Sequence, residues 1–496
     1  MGPRARIGNR ADHSCHRRGA GARRGRRSRA RVPQRSQTAH VGGTVPVLRT
    51  LKTGISGVRG VVGDSLTPQL LIGFAQAFGT YLEGGTVVIG RDTRPSGEMV
   101  QKAMIGGLLA TGCDIADVGI APVPTVQMTT REAGAAGGIA ITASHNPQQW
   151  NALKFIRGDG IILHPHQAEE LLSVYYQGNF SLVPGHQIGS VQEDTGALQR
   201  HIDAVLAHAD VDAIAAIAPK VVIDCVNGAG SMISRRFLQT LGCEVIAIND
   251  EPNGLFPHDP EPIPANLGQL EAAVAEHGAD IGFAQDADAD RLAIVSEQGT
   301  VVGEEFTLAF ACDAVADRIE GPLVTNLSTS RMIDEVARRH GKTVCRSRVG
   351  EINVIVQMQV HGAQIGGEGN GGVIYGPVQY CRDSFSAMAL VLAGLARRGG
   401  AVSEWAADFP PSEIYKTKME CPAARVQPAL LALREACADQ TLDLTEGVKV
   451  LYDNGAWLHA RPSNTEPIVR VIAEADTMHE AKGYADEAMA LMAAVV

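Results

Sequence analysis

The chain has 496 residues, a formal net charge of −10, 45% hydrophobic residues and 4% aromatic residues. A chain of this length is expected to form about three to four domains. No run approaches the roughly 18 apolar residues of a membrane span, and aromatic side chains are too few for a platform that stacks nucleic-acid bases. We therefore expect a soluble enzyme with no membrane partner and no nucleic-acid partner.

The nine cysteines are scattered along the chain, and none of them forms a C-x-x-C pair. Secreted chains use cysteines as a disulfide framework, whereas cytosolic proteins keep their cysteines reduced. The scattered pattern therefore favours a reducing compartment, and we expect a cytoplasmic protein.

Residues 1–45 differ from the rest of the chain, because they hold twelve arginines, no lysine and one acidic residue, Asp12. Removing their eleven net positive charges takes the formal net charge from −10 to −21. A basic arm or a targeting peptide is one interpretation, although no amphipathic apolar stripe supports it. We expect a disordered extension and a true translation start near residues 45–51, since GC-rich upstream sequence yields such arginine-rich stretches when translated.

One pattern of elements occurs three times: an apolar strand, a turn, a helix, a glycine and a second strand. Strands that alternate with helices predict largely parallel sheets built from βαβ units, and the uneven spacing indicates duplicated domains rather than a solenoid. Each glycine stands where a helix C-cap needs a positive φ. The repeats cover 86–115, with the glycine at Gly112, 221–246, with Gly242, and 322–344, with Gly341.

Ser144 follows an apolar run, residues 138–141, and precedes the turn formers Asn146 and Pro147. Proline fixes its own φ and biases the preceding residue away from helix, so we expect the strand to end where the Ser144 hydroxyl emerges. This placement suits a nucleophile or a phosphate carrier. A serine before Asn-Pro is also a common structural cap, and the segment alone does not separate the two.

Three aspartates, Asp286, Asp288 and Asp290, alternate with alanines directly after residues 280–284, which predict a buried strand. In a loop that leaves a strand, such residues can converge on one side. Three carboxylates suit Mg2+, which prefers oxygen ligands at about 2.0–2.1 Å and keeps open positions for phosphate oxygen and water. A solvated acidic loop is the alternative, but three like charges repel unless a positive charge lies between them.

A calcium-binding EF-hand loop is a second alternative, because Glu297 is the twelfth residue counted from Asp286. The sixth position is Arg291 rather than the glycine that the EF-hand turn needs. Residues 292–295 continue as a strand, and no helix pattern enters the loop. We therefore expect a divalent-metal site and not an EF-hand.

Two further clusters lie nearer the C-terminus. Residues 366–372 are too glycine-rich for stable regular structure, and they offer Glu368 and Asn370 to a ligand such as a sugar. A flexible surface turn explains them equally well. Residues 461–467, followed by a strand from Ile468, combine arginine, hydroxyls and backbone N–H groups that can cradle a phosphate dianion. The alternative is a polar turn between two strands.

These four clusters, in this order, resemble those of the α-D-phosphohexomutase family, and residues 54–60 match its opening motif. The resemblance covers about residue 51 to the C-terminus. It implies three related mixed α/β domains plus a smaller α+β C-terminal domain around a central cleft. We expect a phosphoserine domain at 46–200, a metal-binding domain at 201–304, a sugar-binding domain at 305–408 and a phosphate-binding domain at 409–496, with a linker at 409–411.

The resemblance implies a phosphosugar mutase that moves phosphate between C6 and C1 of a hexose. Ser144 would carry a phosphate, pass it to the substrate and receive the other phosphate after the sugar reorients. A hexose bisphosphate would serve as intermediate and activator. Mg2+, held by Asp286, Asp288, Asp290 and the group on Ser144, would neutralise charge during the transfer.

Further residues receive roles from the same resemblance. Lys154 matches a candidate general base, and Arg291 would help to hold the transferring phosphate. Arg59 and His145 would flank the reacting group. The substrate would be bound through its hydroxyls and its non-reacting phosphate, so that the sugar fits in either orientation. The residues implied in substrate binding are Arg348, Glu368, Asn370, Arg461, Ser463, Asn464, Thr465 and Arg470.

Many relatives end the sugar loop in Ser-Gly-His, whereas this chain has Asn370-Gly371-Gly372, so any role of that histidine is absent or moved. With residues 348–354, this loop looks most like that of the archaeal-type phosphoglucosamine mutases, which predicts conversion of glucosamine 6-phosphate to glucosamine 1-phosphate. Phosphomannomutase or phosphoglucomutase activity is the alternative, because these sugars differ only around C2. We expect a monomer or a homodimer.

Two alternatives belong to other functional classes. A non-catalytic phosphosugar-binding protein could share the scaffold, but a pure binder has no need of Ser144 beside an intact acidic triplet. A metal-dependent phosphatase would release the phosphate to water rather than return it to the sugar. Release of inorganic phosphate therefore separates the phosphatase from the mutase.

Overall fold

The computed structural model describes residues 50–54, 57–463 and 467–496. All of them belong to one unit, Leu48–Val496. The predicted disordered extension, residues 1–45, lies outside the described residues. Four sheets follow one another along the described chain, and the first three mix parallel and antiparallel strands.

The first region contains a seven-stranded sheet. Its strands are β1 (Lys52–Gly54), β2 (Gly57–Val61), β3 (Thr86–Arg91), β4 (Asp114–Ile120), β5 (Gly137–Ile141), β6 (Trp150–Arg157) and β7 (Val191–Glu193). Its helices are α1 (Pro68–Leu82), α2 (Gly97–Leu109), α3 (Val123–Glu132) and α4 (Pro165–Gln177). The strand order is β1-β2-β6-β5-β3-β4-β7. Strands β5, β3, β4 and β7 are parallel, and β6, β2 and β1 add antiparallel strands at one side.

Helix α1 shows why an element begins where it does. Pro68 stands in its first turn, where the N–H that proline lacks would have no partner in the helix. The Thr67 hydroxyl accepts a hydrogen bond from the Leu70 backbone N–H at 3.4 Å and so caps the helix. Leu71, Phe74 and Phe78 recur at helical spacing and are buried against the sheet.

The second and third regions each contain a four-stranded sheet. The second comprises α5 (Ala197–Leu206), α6 (Val211–Ile217), β8 (Lys220–Asp224), α7 (Ser234–Thr240), β9 (Glu244–Ile248), α8 (Gly268–His277), β10 (Ile281–Gln285) and β11 (Leu292–Ser296). The third comprises α9 (Glu304–Val315), β12 (Leu323–Asn326), α10 (Met332–Arg339), β13 (Val344–Ser347), α11 (Glu351–His361), β14 (Ile365–Glu368), β15 (Gly372–Tyr375), α12 (Ser384–Arg398) and α13 (Val402–Ala407). The orders are β11-β10-β8-β9 and β13-β12-β14-β15.

The predicted threefold repeat is confirmed. In each region a strand, a helix and a second strand form a parallel pair, namely β3 with β4, β8 with β9 and β12 with β13. The glycines before the second strands have φ values of 81° at Gly112, 90° at Gly242 and 62° at Gly341. Only a residue without a Cβ adopts this left-handed conformation at little cost.

The fourth region differs from the others because its sheet is wholly antiparallel. It comprises β16 (Glu413–Glu420), α14 (Ala423–Ala436), β17 (Thr441–Asp443), β18 (Val448–Leu451), β19 (Trp457–Pro462), β20 (Ile468–Ala475) and α15 (Met478–Ala493). The strand order is β16-β20-β19-β18-β17. The predicted fold class, three mixed α/β domains and a smaller α+β domain, is confirmed.

One apolar core spans the second and third regions. Phe237 and Phe283 of the second region belong to the same buried cluster as Phe310, Phe385 and Trp405 of the third. A shared core of this kind resists movement of one region against the other. Among the described residues, no helix combines the length and the apolar character needed to cross a membrane.

Candidate active site

Ser144 lies three residues beyond the end of β5, as predicted, and it is buried. Its φ of 50° is left-handed, which is unusual for a residue with a side chain. Its Oγ donates a hydrogen bond to Asp286 Oδ2 at 2.7 Å and lies 3.3 Å from His145 Nδ1. The serine of the first region therefore meets the acidic loop of the second region directly.

Arg94 holds the Ser144 loop in this conformation, and the sequence analysis did not identify it. Its guanidinium donates to the carbonyl oxygens of Ser144, Asn146, Pro147 and Trp150 at 2.6–3.1 Å. Its Nε donates to Asp92 Oδ2 at 3.0 Å, so every guanidinium N–H group has an acceptor. The only signal in the sequence was its place after β3, because β3 and β5 are parallel and end at the same edge.

Asp286, Asp288 and Asp290 converge in the buried loop between β10 and β11, with candidate ligand atoms within 4.8 Å of one another. The flanking elements are two antiparallel strands, so the rejection of an EF-hand is confirmed. Asp288 Oδ1 and Asp290 Oδ1 are buried and accept no hydrogen bond among the described residues. Buried carboxylate oxygens without donors fit a hard cation such as Mg2+.

The other oxygens of the acidic loop already have partners. Lys154 Nζ, on β6, donates to Asp288 Oδ2 at 2.8 Å and to Asp290 Oδ2 at 3.2 Å. Burial opposes the charge of Lys154, but Asp288 and Asp290 raise its pKa above the ordinary value. Burial likewise opposes the charge of Asp290, but Arg382 and Lys154 lower its pKa. In this arrangement the Lys154 ammonium group is a hydrogen-bond donor to both aspartates, and its role as a general base stays a prediction.

Burial raises the pKa of the Asp286 carboxyl, and the charges of Asp288 and Asp290 add to this effect. Its Oδ1 accepts the backbone N–H groups of Asp290 and Arg291 at 3.1 and 3.2 Å. These bonds fold the loop back on itself. Backbone donors and nearby cations thus offset the free-energy cost of burying three carboxylates in one loop.

Arg59, His145 and Arg291 lie around the same point. Arg291 Nε is 3.9 Å from Asp290 Oδ1. The charge of Arg291, followed by burial, lowers the pKa of His145 to about 2, and Arg59 adds to this fall. The His145 ring is therefore neutral near pH 7. The predicted catalytic residues are brought together, and their individual roles stay predictions.

The glycine-rich segment is not the irregular or flexible turn that we expected, and this expectation is wrong. Residues 365–368 and 372–375 form a regular antiparallel hairpin of β14 and β15. At its tip, Gly371 has a φ of 82°, and its carbonyl oxygen accepts the Leu292 N–H at 3.0 Å. A Cβ at Gly371 would lie 2.3 Å from the Leu292 oxygen, so the hairpin packs tightly on the strand that follows the acidic loop.

Glu368 is buried, 4% exposed, rather than projecting from a loop. Its Oε1 accepts hydrogen bonds from Asn326 Nδ2 and from the Gly350 N–H, each at 2.9 Å. The Asn370 amide lies 3.5 Å from Glu368 Oε2, and its Oδ1 accepts the Gly372 N–H at 3.2 Å. Glu368 is thus held in a fixed orientation by three segments of the third region.

Arg382 is the second residue that the sequence analysis missed. It precedes α12, is 9% exposed, and lies beside both the acidic loop and the hairpin. A Cβ at Gly372 would lie 2.4 Å from Arg382 Cδ. The arginine stem therefore fills the space that a side chain at position 372 would need.

Arg461 lies opposite Arg470 in the antiparallel pair of β19 and β20, and the choice between a phosphate cradle and a polar turn at 461–467 stays open. Arg461 NH1 is 3.7 Å from Glu446 Oε1, and its Nε is buried without a hydrogen-bond partner among the described residues. Burial lowers the pKa of Arg461, and Glu446 and Glu368 oppose this fall. Arg461 is thus within electrostatic reach of the hairpin carboxylate.

The remaining predicted substrate-binding residues flank this arginine. Arg348 Nε donates to the Thr445 carbonyl oxygen at 3.1 Å, and the Val349 N–H donates to Glu446 Oε2 at 2.7 Å. Ser463 follows β19. Asn464 and Thr465 lie outside the described residues.

The chain matches four consecutive family models. They are described as phosphoglucomutase/phosphomannomutase alpha/beta/alpha domain I at residues 50–181, domain II at 199–299, domain III at 303–412 and the C-terminal domain at 418–491. Together they cover most of the chain. Our boundaries at 200, 304 and 408 stay predictions.

Similar proteins carry related names. A "Probable phosphoglucosamine mutase" of Methanopyrus kandleri is 37% identical over 441 residues, which cover 88% of this chain and 96% of the relative. A "Phosphoglucomutase/phosphomannomutase" of Thermococcus kodakarensis is 37% identical over 449 residues, which cover 88% and 98%. A crystal structure of a phosphoglucomutase/phosphomannomutase family protein from Burkholderia thailandensis superposes with a TM-score of 0.78 at 24% identity, covering 90% of this chain and 97% of the other, and supports the fold.

Proposed function

The chain belongs to the phosphoglucomutase/phosphomannomutase family and is an isomerase of the phosphohexomutase type, and we propose that its preferred reaction interconverts glucosamine 6-phosphate and glucosamine 1-phosphate. The observation that carries the mutase reaction is the 2.7 Å contact between Ser144 Oγ and Asp286 Oδ2. It places a candidate phosphate carrier against a candidate metal site. The name of the Methanopyrus kandleri relative supports glucosamine as the sugar.

Phosphoglucomutase or phosphomannomutase activity is the second candidate. The Thermococcus kodakarensis relative carries that name at the same 37% identity. Glucose, mannose and glucosamine differ only at C2, and no residue placed so far distinguishes a hydroxyl from an amino group there.

In the proposed cycle the Ser144 oxygen carries a phosphoryl group. A sugar hydroxyl attacks the phosphorus, the bond from phosphorus to the Ser144 oxygen breaks, and the hydroxyl proton is passed on so that Ser144 is left as a neutral hydroxyl. The bisphosphosugar then turns around, and the phosphate at its other end returns to Ser144. Asp286, Asp288 and Asp290 would hold Mg2+, which neutralises charge as the phosphoryl group passes. Arg94 would hold the Ser144 loop in place throughout the cycle, because its guanidinium N–H groups donate to four backbone carbonyls and to Asp92 rather than to a substrate.

Positioning of the sugar falls to the third and fourth regions. Arg461, with Ser463, Asn464, Thr465 and Arg470, would anchor the phosphate that is not reacting. Glu368 would accept hydrogen bonds from sugar hydroxyls, and its fixed orientation supports this role because little freedom is lost on binding. Arg59, His145, Lys154 and Arg291 would surround the reacting phosphate.

We also propose a cytoplasmic location, a phosphosugar as the partner and a monomer or homodimer as the assembly. These follow from composition and family, and purified protein in a sizing experiment would test the assembly.

Turnover of glucosamine, glucose and mannose 6-phosphates, side by side and primed with a hexose 1,6-bisphosphate, tests the function. We expect the highest kcat/KM with glucosamine 6-phosphate and no accumulation of inorganic phosphate. A higher kcat/KM with glucose or mannose would establish the second candidate. Release of inorganic phosphate in step with substrate loss would indicate a phosphatase and contradict the mutase.

A further inference from the structure

Arg382 joins two functional loops through one guanidinium group. Its NH2 donates to Asp290 Oδ2 of the acidic loop at 2.7 Å. Its NH1 donates to Glu368 Oε2 of the hairpin at 3.3 Å. One buried cation thus contacts both a candidate metal ligand, Asp290, and a candidate sugar ligand, Glu368.

A third carboxylate, Glu351, also contacts Arg382, as an ion pair in which Arg382 Nε makes no hydrogen bond among the described residues. Arg382 Nε lies 3.4 Å from Glu351 Oε2, and its backbone N–H donates to Glu351 Oε1 at 3.1 Å. Glu351 is the first residue of α11, and burial raises its pKa. The missing side chain of Gly372 makes room for the Arg382 stem, because a Cβ there would lie 2.4 Å from Arg382 Cδ. The guanidinium therefore cannot turn toward one loop without leaving the other.

The carboxylates of the two functional loops that Arg382 contacts are not equivalent. Asp290 also binds Lys154 and keeps Oδ1 without a donor among the described residues, whereas Glu368 is further held by Asn326 and Gly350. A guanidinium is planar and rigid, so its position between the Asp290 and Glu368 carboxylates is a balance of their attractions. When Glu368 attracts it less, more positive charge remains at Asp290, and Asp290 becomes a poorer ligand for a cation.

We propose that Arg382 is a positioning residue that couples the sugar-binding hairpin to the metal loop. A change in the interactions of Glu368, such as binding of a sugar hydroxyl, then changes the affinity of the three aspartates for Mg2+. By thermodynamic linkage, Mg2+ then changes the affinity of the hairpin for its sugar by the same factor. This inference rests on the proposed metal and sugar roles of the two loops. It assigns the link between them to one side chain.

Isothermal titration of the full-length enzyme with MgCl2, without any sugar, measures this link. The variants are Glu368→Gln, Arg382→Met, Arg382→Lys and the two double variants. We expect Glu368→Gln to raise the Mg2+ Kd about fivefold in the native background, at the lower end of typical couplings between sites. In both Arg382 variants the same change should move the Kd less than about twofold, because the bridge that carries the coupling is gone.

The lysine variant separates the guanidinium bridge from general electrostatics. Lysine keeps the positive charge, but one ammonium cannot reach both carboxylates in the planar fork geometry of arginine. Arg382→Lys also keeps the proposal testable if Arg382→Met does not fold, since lysine keeps a cation among the three carboxylates. Arg200→Met is the matched control, because Arg200 contacts Asp194 and Glu132 on another part of the molecule. The fivefold effect should persist in it.

Each outcome bears on the proposal. An equal effect of Glu368→Gln in the native, Arg382→Lys and Arg382→Met backgrounds would overturn it, because the influence would then pass directly through space. No effect in the native background would overturn it as well. Failure of the native protein to bind Mg2+ would instead contradict the proposed metal site, which is a separate failure from loss of coupling.

Discussion

The two ends of the proposed active site solve opposite electrostatic problems. At the transfer end, where Ser144 meets the three aspartates, the anions are already paired with Lys154 and Arg382. At the end proposed to anchor the other phosphate, here called the anchor end, Arg461 pairs with Arg470 across β19 and β20. Arg461 NH1 lies 3.7 Å from Glu446 Oε1. At the transfer end, cations of the protein already neutralise the carboxylates. At the anchor end, Arg461 would neutralise a phosphate dianion of the substrate.

The transfer end is therefore the rigid part of the site, and the anchor end is the part that supplies binding energy. Preorganised groups lose little freedom during the reaction, and the cost of their arrangement is met during folding. Groups that wait for a ligand contribute to affinity instead. We therefore expect substitutions at the transfer end to reduce kcat, often with stability, and substitutions at the anchor end to raise KM with a smaller loss of stability.

The largest effect should come from Ser144→Ala. This change removes the only atom proposed to carry the phosphoryl group between the two half-reactions, so mutase activity should fall by several orders of magnitude. The melting temperature should stay near that of the native protein, and the intact mass should lack one phosphate. Ser173→Ala, on the exposed surface of α4, is the control. An active Ser144→Ala enzyme would refute the carrier role.

Arg94→Met should reduce both activity and stability. The change leaves Asp92 buried without its partner, and breaking a buried ion pair costs about 3–5 kcal/mol. Four loop carbonyls also lose their donor, and a displacement of the nucleophile by about 1 Å can lower the rate about a hundredfold. Denaturant titration and kcat measure the two effects. A free energy of unfolding equal to that of the native protein would show that the Ser144 loop keeps its conformation without Arg94.

Asp288→Asn should shift the Mg2+ requirement upward. Loss of one anionic ligand should raise the Mg2+ concentration for half-maximal activity about 10–100-fold, a range that even outer partners of metal ligands reach. A chelator should abolish the activity of the native enzyme, and added Mg2+ should restore that activity. Activity that ignores chelator would mean that the aspartates have another role.

Arg461→Ala should act mainly on binding. Removal of a hydrogen bond to a charged group costs about 1.5–3 kcal/mol, which is about one to two decades in kcat/KM. The loss should appear in KM, and the free energy of unfolding should fall less than in Arg94→Met, since the contacts of Arg461 NH1 with Glu446 and the Pro462 carbonyl are long, at 3.7 and 3.5 Å. A loss confined to kcat would place Arg461 at the transfer end instead.

The smallest expected change is in substrate preference. Glu368→Ala should weaken glucosamine, glucose and mannose phosphates alike, by about one to two decades in kcat/KM. Because the proposed contacts are hydroxyls that these sugars share, the ratios should stay within about tenfold. A larger change in the glucosamine-to-mannose ratio would mean that Glu368 recognises C2.

Much of the transfer end was predictable from sequence because its signals are local. The strands that precede Ser144 and Asp286 are short apolar runs that end in turn residues, and both lie where predicted. The glycine hairpin was mispredicted because packing overrides the low strand propensity of glycine. A Cβ at Gly369 would lie 1.9 Å from Glu305 Oε2, so absence of side chains is what permits the hairpin there.

Arg94 and Arg382 could not be found from sequence, since a single loop arginine has no periodic signature. Arg94 contacts residues 50 and more positions away, and Arg382 contacts Asp290 across 92 positions. Such pairs exist only after the sheets have assembled. The sugar preference was equally beyond reach, because no motif in the chain distinguishes substituents at C2.

Passage of the phosphate through Ser144 can be followed in a single turnover with labelled phosphate. Enzyme is incubated with 32P-labelled hexose 1,6-bisphosphate and Mg2+, freed of ligand, and mixed with unlabelled hexose 6-phosphate. We predict label on the peptide that contains Ser144, followed by its movement to the sugar at the rate of turnover. Label that never appears on this peptide during active turnover, or that leaves it as inorganic phosphate, would contradict the account.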